Sequence, residues 1–130
     1  MFSLAKKISA YLVVPFGWTI ILTALMCIPG SEFPSMGWIE FKHVDKITHF
    51  GLYGLLVLFW SYYALYNLDY GKWKNLVLYI CFFAIVYGII MEFVQLNFIL
   101  NRDFDIWDIF ANSVGAIVFT FIVLQKEQLQ

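Results

Sequence analysis

Four long apolar stretches fill most of this 130-residue chain and limit what it can fold into. They cover residues 8–28, 47–66, 76–100 and 106–124. A helix of about 20 apolar residues crosses the roughly 30 Å hydrocarbon core of a bilayer. Because a helix satisfies its own backbone hydrogen bonds, it is a form that such stretches can take in lipid. The sequence therefore predicts one domain over residues 1–130, an all-α integral membrane bundle of four transmembrane helices.

The composition argues against a soluble domain and against a nucleic-acid partner. Hydrophobic residues make up 62% of the chain and charged residues 13%, whereas soluble domains average roughly 45–50% and 25%. The net charge is −1, and no run of Lys or Arg could follow a phosphate backbone. Membrane lipids are therefore the expected partners, and the sequence leaves the oligomeric state open.

The basic residues favour one orientation of the bundle. Five lie on the side that holds both termini, at Lys6, Lys7, Lys72, Lys74 and Lys126, and three lie on the other side, at Lys42, Lys46 and Arg102. Because cytoplasmic loops are enriched in Lys and Arg, both termini are predicted to lie in the cytoplasm. In this orientation seven of the nine acidic residues fall toward the outer edge.

Polar residues form stripes on the helix faces near that outer edge. On the second helix Asp45, His49 and Tyr53 recur at four-residue spacing and share one face, with Lys46 beside them. The third helix carries Ala84, Gly88, Glu92 and Gln95, and the fourth carries Asp105, Asp108, Asn112 and Gly115, with Arg102 just before it. Small residues on the face of Glu92 allow a neighbouring helix to approach, which indicates that this acid points into the bundle.

Burying these ionisable groups in a bilayer is costly, which indicates a purpose for them. A charged side chain at bilayer depth costs at least about 2.5 kcal/mol, even on lenient insertion scales. Four acids of the predicted cluster face only two permanent cations and the titratable His49. We therefore predict a protonated acid, a charged His49 or a bound cation.

We assign candidate roles to ten of these residues. The catalytic candidates are Glu92, His49 and Asp108, the substrate-binding candidates are Lys46, Arg102, Gln95, Asn112 and Tyr53, and the supporting residues are Asp45 and Asp105. Glu92 would act as general acid or base, with His49 as its proton partner. No metal ligands are assigned, because one histidine with carboxylates lacks zinc-ligand spacing. A weakly held divalent cation is the cofactor such a set would suit better.

Each of these residues also has a purely structural interpretation. Asp45 and Asp105 could be N-caps of the second and fourth helices. Asn112 and Gln95 could join helices through hydrogen bonds. Lys46 and Arg102 could form interfacial ion pairs that serve folding, and Tyr53 could be a packed aromatic.

Taken together, the polar residues of helices two to four resemble the VanZ-like family. The pattern runs Asp45-Lys46-x-x-His49-x-x-x-Tyr53, then Glu92-x-x-Gln95, then Arg102-x-x-Asp105-x-x-Asp108-x-x-x-Asn112-x-x-Gly115. The chain departs from the family at Asn101, where glycine is frequent, and at Phe119, where a second glycine of the fourth helix is common. These departures bear on the loop and on helix packing more than on the polar residues.

The resemblance implies a multi-pass protein of the bacterial cytoplasmic membrane. For the founding member of the family it implies low-level resistance to the lipoglycopeptide antibiotic teicoplanin, without a settled biochemical mechanism. The implied partner is therefore a lipid-linked envelope precursor or a lipoglycopeptide at the outer leaflet.

Three functions are compatible with the sequence. The first is a membrane-embedded site that handles or modifies a lipid-linked or amphipathic cell-envelope molecule. The second is a noncatalytic binding or interaction module whose polar cluster is structural. The third, a transporter or channel, is the weakest because the inner half lacks a matching polar path, with Thr19, Thr23, Ser61 and Thr120 isolated. Whether the protein is an enzyme is left open.

Overall fold

The described part of the chain consists of four α-helices and one short 3-10 turn. A computed structural model describes residues 10–32, 41–68 and 72–128, together with Leu4, Lys7 and Ile8. The helices are α1 (Val13–Met26), α2 (Phe41–Asn67), α3 (Trp73–Phe98) and α4 (Ile106–Gln128), and the 3-10 turn is Gly30–Glu32. Within these residues no strand occurs, so the predicted all-α fold is confirmed.

Two helix boundaries differ from the prediction in ways that matter. Helix α1 has 14 residues and a length of about 21 Å, shorter than the predicted stretch of residues 8–28. Helix α2 begins at Phe41, before the predicted start at Ile47. Its first turns are polar, and the apolar run used for the prediction does not include them. Asp45 consequently lies inside α2, and its interpretation as an N-cap is wrong.

Two of the four helices can cross a membrane by length and composition. These are α3, over Trp73–Phe98, and α4, over Ile106–Lys126. Helix α1 is apolar but short, and α2, although 27 residues long, carries polar first turns and several tyrosines. The composition of the described helices thus supports two crossings, and the four predicted crossings stay a prediction.

The distribution of side chains is inverted relative to a soluble protein. The buried polar residues are His49, Ser61, Glu92, Gln95, Asp108, Asn112 and Thr120. Large apolar side chains are exposed along α1, α3 and α4, among them Phe16, Ile20, Phe82, Phe83, Phe93, Phe110 and Phe121. Soluble monomers rarely expose apolar patches of this extent. The exterior is therefore suited to an apolar surrounding and the interior to polar contacts.

Glycines allow α2 and α4 to approach closely. A Cβ atom at Gly115 would lie 2.2 Å from the carbonyl oxygen of Phe50, so only glycine fits against the α2 backbone there. At Gly54 a Cβ atom would lie 2.4 Å from the ring of Phe119. Gly54 thus makes room for the phenylalanine by which the chain departs from the family pattern.

Candidate functional site

Seven polar side chains from three helices meet at one end of the bundle. At this end, which we call the acidic end, α1 and α3 terminate and α2 and α4 begin. The polar cluster comprises Asp45, Lys46 and His49 from α2, Glu92 from α3, and Asp105, Asp108 and Asn112 at the start of α4. The polar stripes that the sequence predicts near one edge of the bundle thus meet at one end of the structure.

Lys46 links the carboxylates of the cluster. Its Nζ donates a hydrogen bond of 2.7 Å to Asp105 Oδ2 and another to Asp108 Oδ1, and lies 3.8 Å from Asp45 Oδ2. Burial alone would lower the pKa of Lys46, but its two hydrogen-bonded carboxylates raise the pKa above its usual range. Lys46 is therefore a permanent cation that donates two of its three N–H groups to carboxylates of the cluster.

Asp105 performs three tasks at the junction of α3 and α4. Its Oδ1 accepts a hydrogen bond of 2.9 Å from the backbone N–H of Trp107, which makes it the N-cap of α4. Its Oδ2 accepts the bond from Lys46, and its own backbone N–H donates to Glu92 Oε2 at 3.2 Å. The structural interpretation of Asp105 as a cap is correct, and the same residue also holds Glu92.

His49 is fully buried and directs one ring nitrogen at two carboxylates. Its Nδ1 lies 2.9 Å from Asn112 Oδ1, and because an amide oxygen can only accept, Nδ1 carries the hydrogen. The opposite nitrogen, Nε2, lies 3.6 Å from Asp45 Oδ1 and 3.8 Å from Asp108 Oδ2. Within the described residues Nε2 has no hydrogen-bond partner. A ring nitrogen that faces two carboxylates is favoured by a positive charge between them, either a proton on this nitrogen or a bound cation.

Asp45 lies at the edge of the cluster, before the predicted membrane segment begins at Ile47. Burial alone would raise the pKa of Asp45, but its contact with His49 and the charges of His49, Lys46 and Arg102 lower the pKa below its usual range. Asp45 is therefore an ionised carboxylate at neutral pH.

Glu92 is turned inward and keeps one oxygen without a partner. The residue is 0% exposed, and its Oε2 accepts the Asp105 backbone hydrogen bond. Its Oε1 is buried with no hydrogen-bond partner in the described part of the chain. The hydrogen bond of Glu92 thus goes to Asp105 and not to His49, its predicted proton partner.

Two of the predicted substrate-binding residues instead hold the end of α1. Gln95 donates from Nε2 to the carbonyl oxygen of Met26 at 2.8 Å, and Arg102 donates from Nε to that of Ile28 at 3.2 Å. The last carbonyls of a helix lack partners within it, and Gln95 supplies one for Met26, whereas Arg102 binds the chain just after the helix. The interpretation of Gln95 as a bond between helices is therefore correct.

The loop that carries Arg102 packs tightly against the residues after α1. The backbone N–H of Gly30 donates to Leu100 O at 3.1 Å, and a Cβ atom at Gly30 would lie 1.9 Å from Asn101 O. Asn101 has a φ of 56°, a left-handed conformation that Gly and Asn adopt most readily. This conformation explains why asparagine can stand where the family often has glycine.

The remaining two candidates lie deeper in the bundle. Asn112 orients His49, and its Nδ2 lies 3.1 Å from where a Cβ atom at Gly88 would be, so a side chain at Gly88 would crowd it. Tyr53 is 0% exposed and its ring centroid lies 6.2 Å from that of Tyr87. The packing interpretation of Tyr53 is supported by this contact.

A cavity of about 290 Å³ opens beside Lys46, between α2 and α4. It is lined by His43, Lys46, Trp107, Phe110 and Ala111. Of these only Lys46 was predicted as a site residue. His43 lies three residues before Lys46 on α2, a helical spacing that could have identified it. The aromatic wall from α4 could not be found in this way, because it depends on how the two helices cross.

A helical bundle with a polar interior at one end and an apolar exterior defines a small membrane-associated helical protein. This chain belongs to the family described as VanZ/LLP1, whose model matches residues 2–126, and the resemblance found in the sequence is thereby confirmed. The family is membrane-associated.

The chain is also similar to an uncharacterized protein of the fission yeast Schizosaccharomyces pombe. The two are 35% identical over 72 residues, which cover 55% of this chain and 41% of the yeast protein. The match therefore spans about two fifths of the relative's length. No solved structure matches this chain.

Proposed function

We propose that the polar cluster is a membrane-embedded acid–base site that handles a lipid-linked or amphipathic molecule of the cell envelope. The observation that carries this proposal is Glu92, a fully buried carboxyl group with one oxygen held by the Asp105 backbone and the other without a hydrogen-bond partner in the described residues. A fixed carboxyl group with a free oxygen is the arrangement that a general acid or base requires.

An amphipathic substrate is supported by the cavity beside Lys46. One side of the cavity presents His43 and Lys46, and the other presents Trp107 and Phe110. A polar head group would meet the first side and an apolar chain the second. Two of the three N–H donors of Lys46 are engaged by Asp105 and Asp108, so a head group would be attracted by the remaining donor.

The membrane topology is part of the proposal. Four crossings with both termini in the cytoplasm place the acidic end at the outer leaflet of the bacterial cytoplasmic membrane. The inverted distribution of side chains and the excess of lysines at the opposite end support this orientation. Because a relative exists in fission yeast, family membership alone does not assign the chain to a bacterium. Fusions of alkaline phosphatase and of a fluorescent protein to each terminus test it, with fluorescence but no phosphatase activity expected.

The central experiment is Glu92→Gln, since glutamine keeps the shape and the acceptor for Asp105 but cannot ionise. We expect a folded protein, with a melting temperature close to that of the wild type, that has lost its function. The functional readout is growth of a susceptible bacterial host in teicoplanin, because family resemblance associates the protein with resistance to this drug. Asp103→Asn, an exposed acid of the α3–α4 loop, is the matched control and should retain the wild-type phenotype.

A second candidate is a noncatalytic module in which the cluster only locks the helices together. It is favoured by the hydrogen bonds of Lys46 to Asp105 and Asp108, and by the cap that Asp105 provides. In that case Glu92→Gln should lower the melting temperature and the phenotype together. Loss of function at unchanged stability would contradict this candidate, and joint loss would contradict the acid–base site.

A further inference from the structure

We propose that Asp45, His49 and Asp108 bind one divalent metal ion of the kind that accepts both imidazole and carboxylate ligands, such as Mn²⁺ or Zn²⁺. One donor atom from each of the three residues lies within 4.8 Å of the other two. The donor set joins two residues of α2 to a residue of α4, so the spacing within one helix does not reveal it.

The distances fit a single ion. His49 Nε2 lies 3.6 Å from Asp45 Oδ1 and 3.8 Å from Asp108 Oδ2. Three donor atoms that all lie within 4.8 Å of one another have a common point no more than about 2.8 Å from each of them. Metal–oxygen distances range from about 2.0 to 2.6 Å for common divalent ions, so ligation needs only a small contraction.

The imidazole is held in the orientation that a metal requires. His49 is 0% exposed and its Nε2, which has no hydrogen-bond partner among the described residues, faces the space between the carboxylates. The other nitrogen donates its hydrogen to Asn112 Oδ1 at 2.9 Å. Histidines that bind metals nearly always donate their second ring N–H in this way, which fixes the tautomer and the ring orientation.

Lys46 leaves this space open and does not fill it. Its Nζ contacts Asp108 Oδ1 and lies 3.8 Å from Asp45 Oδ2, whereas the oxygens nearest to His49 are Asp108 Oδ2 and Asp45 Oδ1. Each of the two aspartates therefore has one oxygen toward Lys46 and one toward His49. With Asp105 ionised as well, three carboxylates exceed the charges of Lys46 and Arg102, and a divalent ion would offset this excess.

The metal site does not depend on the acid–base role proposed for Glu92. Three protein ligands leave open positions, and in catalytic metal sites such positions hold water or substrate. If the proposed function is correct, an oxygen of the amphipathic substrate's head group would bind there, beside Glu92.

The proposal is tested on the purified full-length protein in detergent, after treatment with a chelator. Titration with MnCl₂, followed by the electron paramagnetic resonance signal of free Mn²⁺, should show one saturable site per chain with a dissociation constant below about 1 mM. Asp45→Asn and His49→Gln should each weaken binding by about tenfold or more. His43→Gln, which removes the other histidine of the chain, and Asp103→Asn should leave Mn²⁺ binding unchanged.

A direct measurement on the wild type guards against variants that fail to fold. Electron spin echo modulation of the bound Mn²⁺ should show coupling to one imidazole nitrogen. The proposal is overturned by absence of saturable Mn²⁺ and Zn²⁺ binding in the wild type, by a bound ion without nitrogen coupling, or by equal binding in folded Asp45→Asn. Glu92→Gln should bind Mn²⁺ like the wild type, so failure of the metal site and failure of the acid–base site are distinguishable.

Discussion

The polar cluster and the apolar groove in the middle of the bundle differ in whether their polar atoms have hydrogen-bond partners. The groove is a cavity of about 300 Å³ lined by Thr19, Leu56, Trp60, Ile80, Phe83, Ala84 and Tyr87. Its polar atoms are paired: Trp60 Nε1 donates to Thr19 Oγ1 at 3.1 Å, and the Tyr87 hydroxyl bonds that of Thr23. The cluster instead contains His49 Nε2 and Glu92 Oε1, both buried and without partners in the described residues.

This difference indicates where binding free energy is available. A buried polar atom that lacks a partner costs about 1–3 kcal/mol, and a ligand that supplies the partner recovers that cost. None of the four polar atoms just named in the groove lacks a hydrogen-bond partner. Thr19 and Thr23, which we predicted to be isolated, contact aromatic side chains of neighbouring helices, because the helices cross where these residues lie. Recognition of a polar ligand is therefore expected at the cluster.

The largest expected effect comes from removing the cation of the cluster. Lys46→Met should lower the free energy of unfolding by about 3 kcal/mol, because it leaves Asp105 and Asp108 without their shared partner. Unfolding in mixed detergent micelles containing increasing sodium dodecyl sulfate measures this change. Lys72→Met, at an exposed lysine that precedes α3, is the control and should change stability little. A Lys46 variant as stable as this control would show that the cluster does not depend on ionic pairing.

A somewhat smaller effect is expected where α2 and α4 touch. Gly115→Ala should destabilise the protein by about 1–3 kcal/mol, because its Cβ atom would collide with the backbone of Phe50 and separate the helices that form the cluster. Gly51→Ala is the matched control, since a Cβ atom at Gly51 meets nothing within 4 Å. Alanine is the better helix former, so the control should be neutral or slightly stabilising. Equal effects at the two glycines would contradict the observed approach of α2 and α4.

The sequence predicted the polar faces better than it predicted the partners. Periodicity alone placed Asp45, His49 and Tyr53 on one face of α2, and the small residues on the face of Glu92 indicated that it points inward. Neither argument could assign the bond between Lys46 and Asp108, because that bond depends on the crossing of two helices far apart in the chain. The polar faces of the three helices at the acidic end were therefore predictable, and the pairing of their side chains was not.

The start of α2 shows a second limit of the sequence. Hydropathy locates the apolar run from Ile47 onward, but the helix begins at Phe41 because hydrogen bonding continues through polar residues. For the same reason Asp45 was open to interpretation as a cap. The roles of Gln95 and Arg102 at the end of α1 also depend on a contact between distant segments, which no local pattern encodes.

Acidification should reduce the stability contributed by the acidic end and should leave the stability contributed by the groove unchanged. The pKa of Asp45 is lowered in the folded protein, so its stabilising contribution is complete above its unfolded pKa of about 3.9 and is lost as the pH falls through the lower folded value. The stability difference between the wild type and Asp45→Asn should therefore narrow as the pH falls below about 4. The pKa of Lys46 is raised, so its contribution is lost only as the pH rises above about 10.4.

Melting temperatures of both proteins between pH 3 and pH 9, measured with a chelator present, check this expectation. A difference that widens on acidification would have the opposite sign and would mean that Asp45 is protonated in the folded state.

The smallest effect is expected in the groove, where hydrogen bonds only join helices. Tyr87→Phe removes the hydroxyl that bonds Thr23, and hydrogen bonds between membrane helices contribute about 0.6 kcal/mol on average. Thr23 keeps its own bond of 2.7 Å to the carbonyl oxygen of Thr19, so its hydroxyl is not left unsatisfied by the change. Tyr79→Phe, at an exposed tyrosine of α3, should have no effect in the same micelle assay. A decrease of several kcal/mol in the free energy of unfolding of Tyr87→Phe would show that hydrogen bonds in the groove contribute more than those between typical membrane helices. The contrast between the groove and the cluster would then fail.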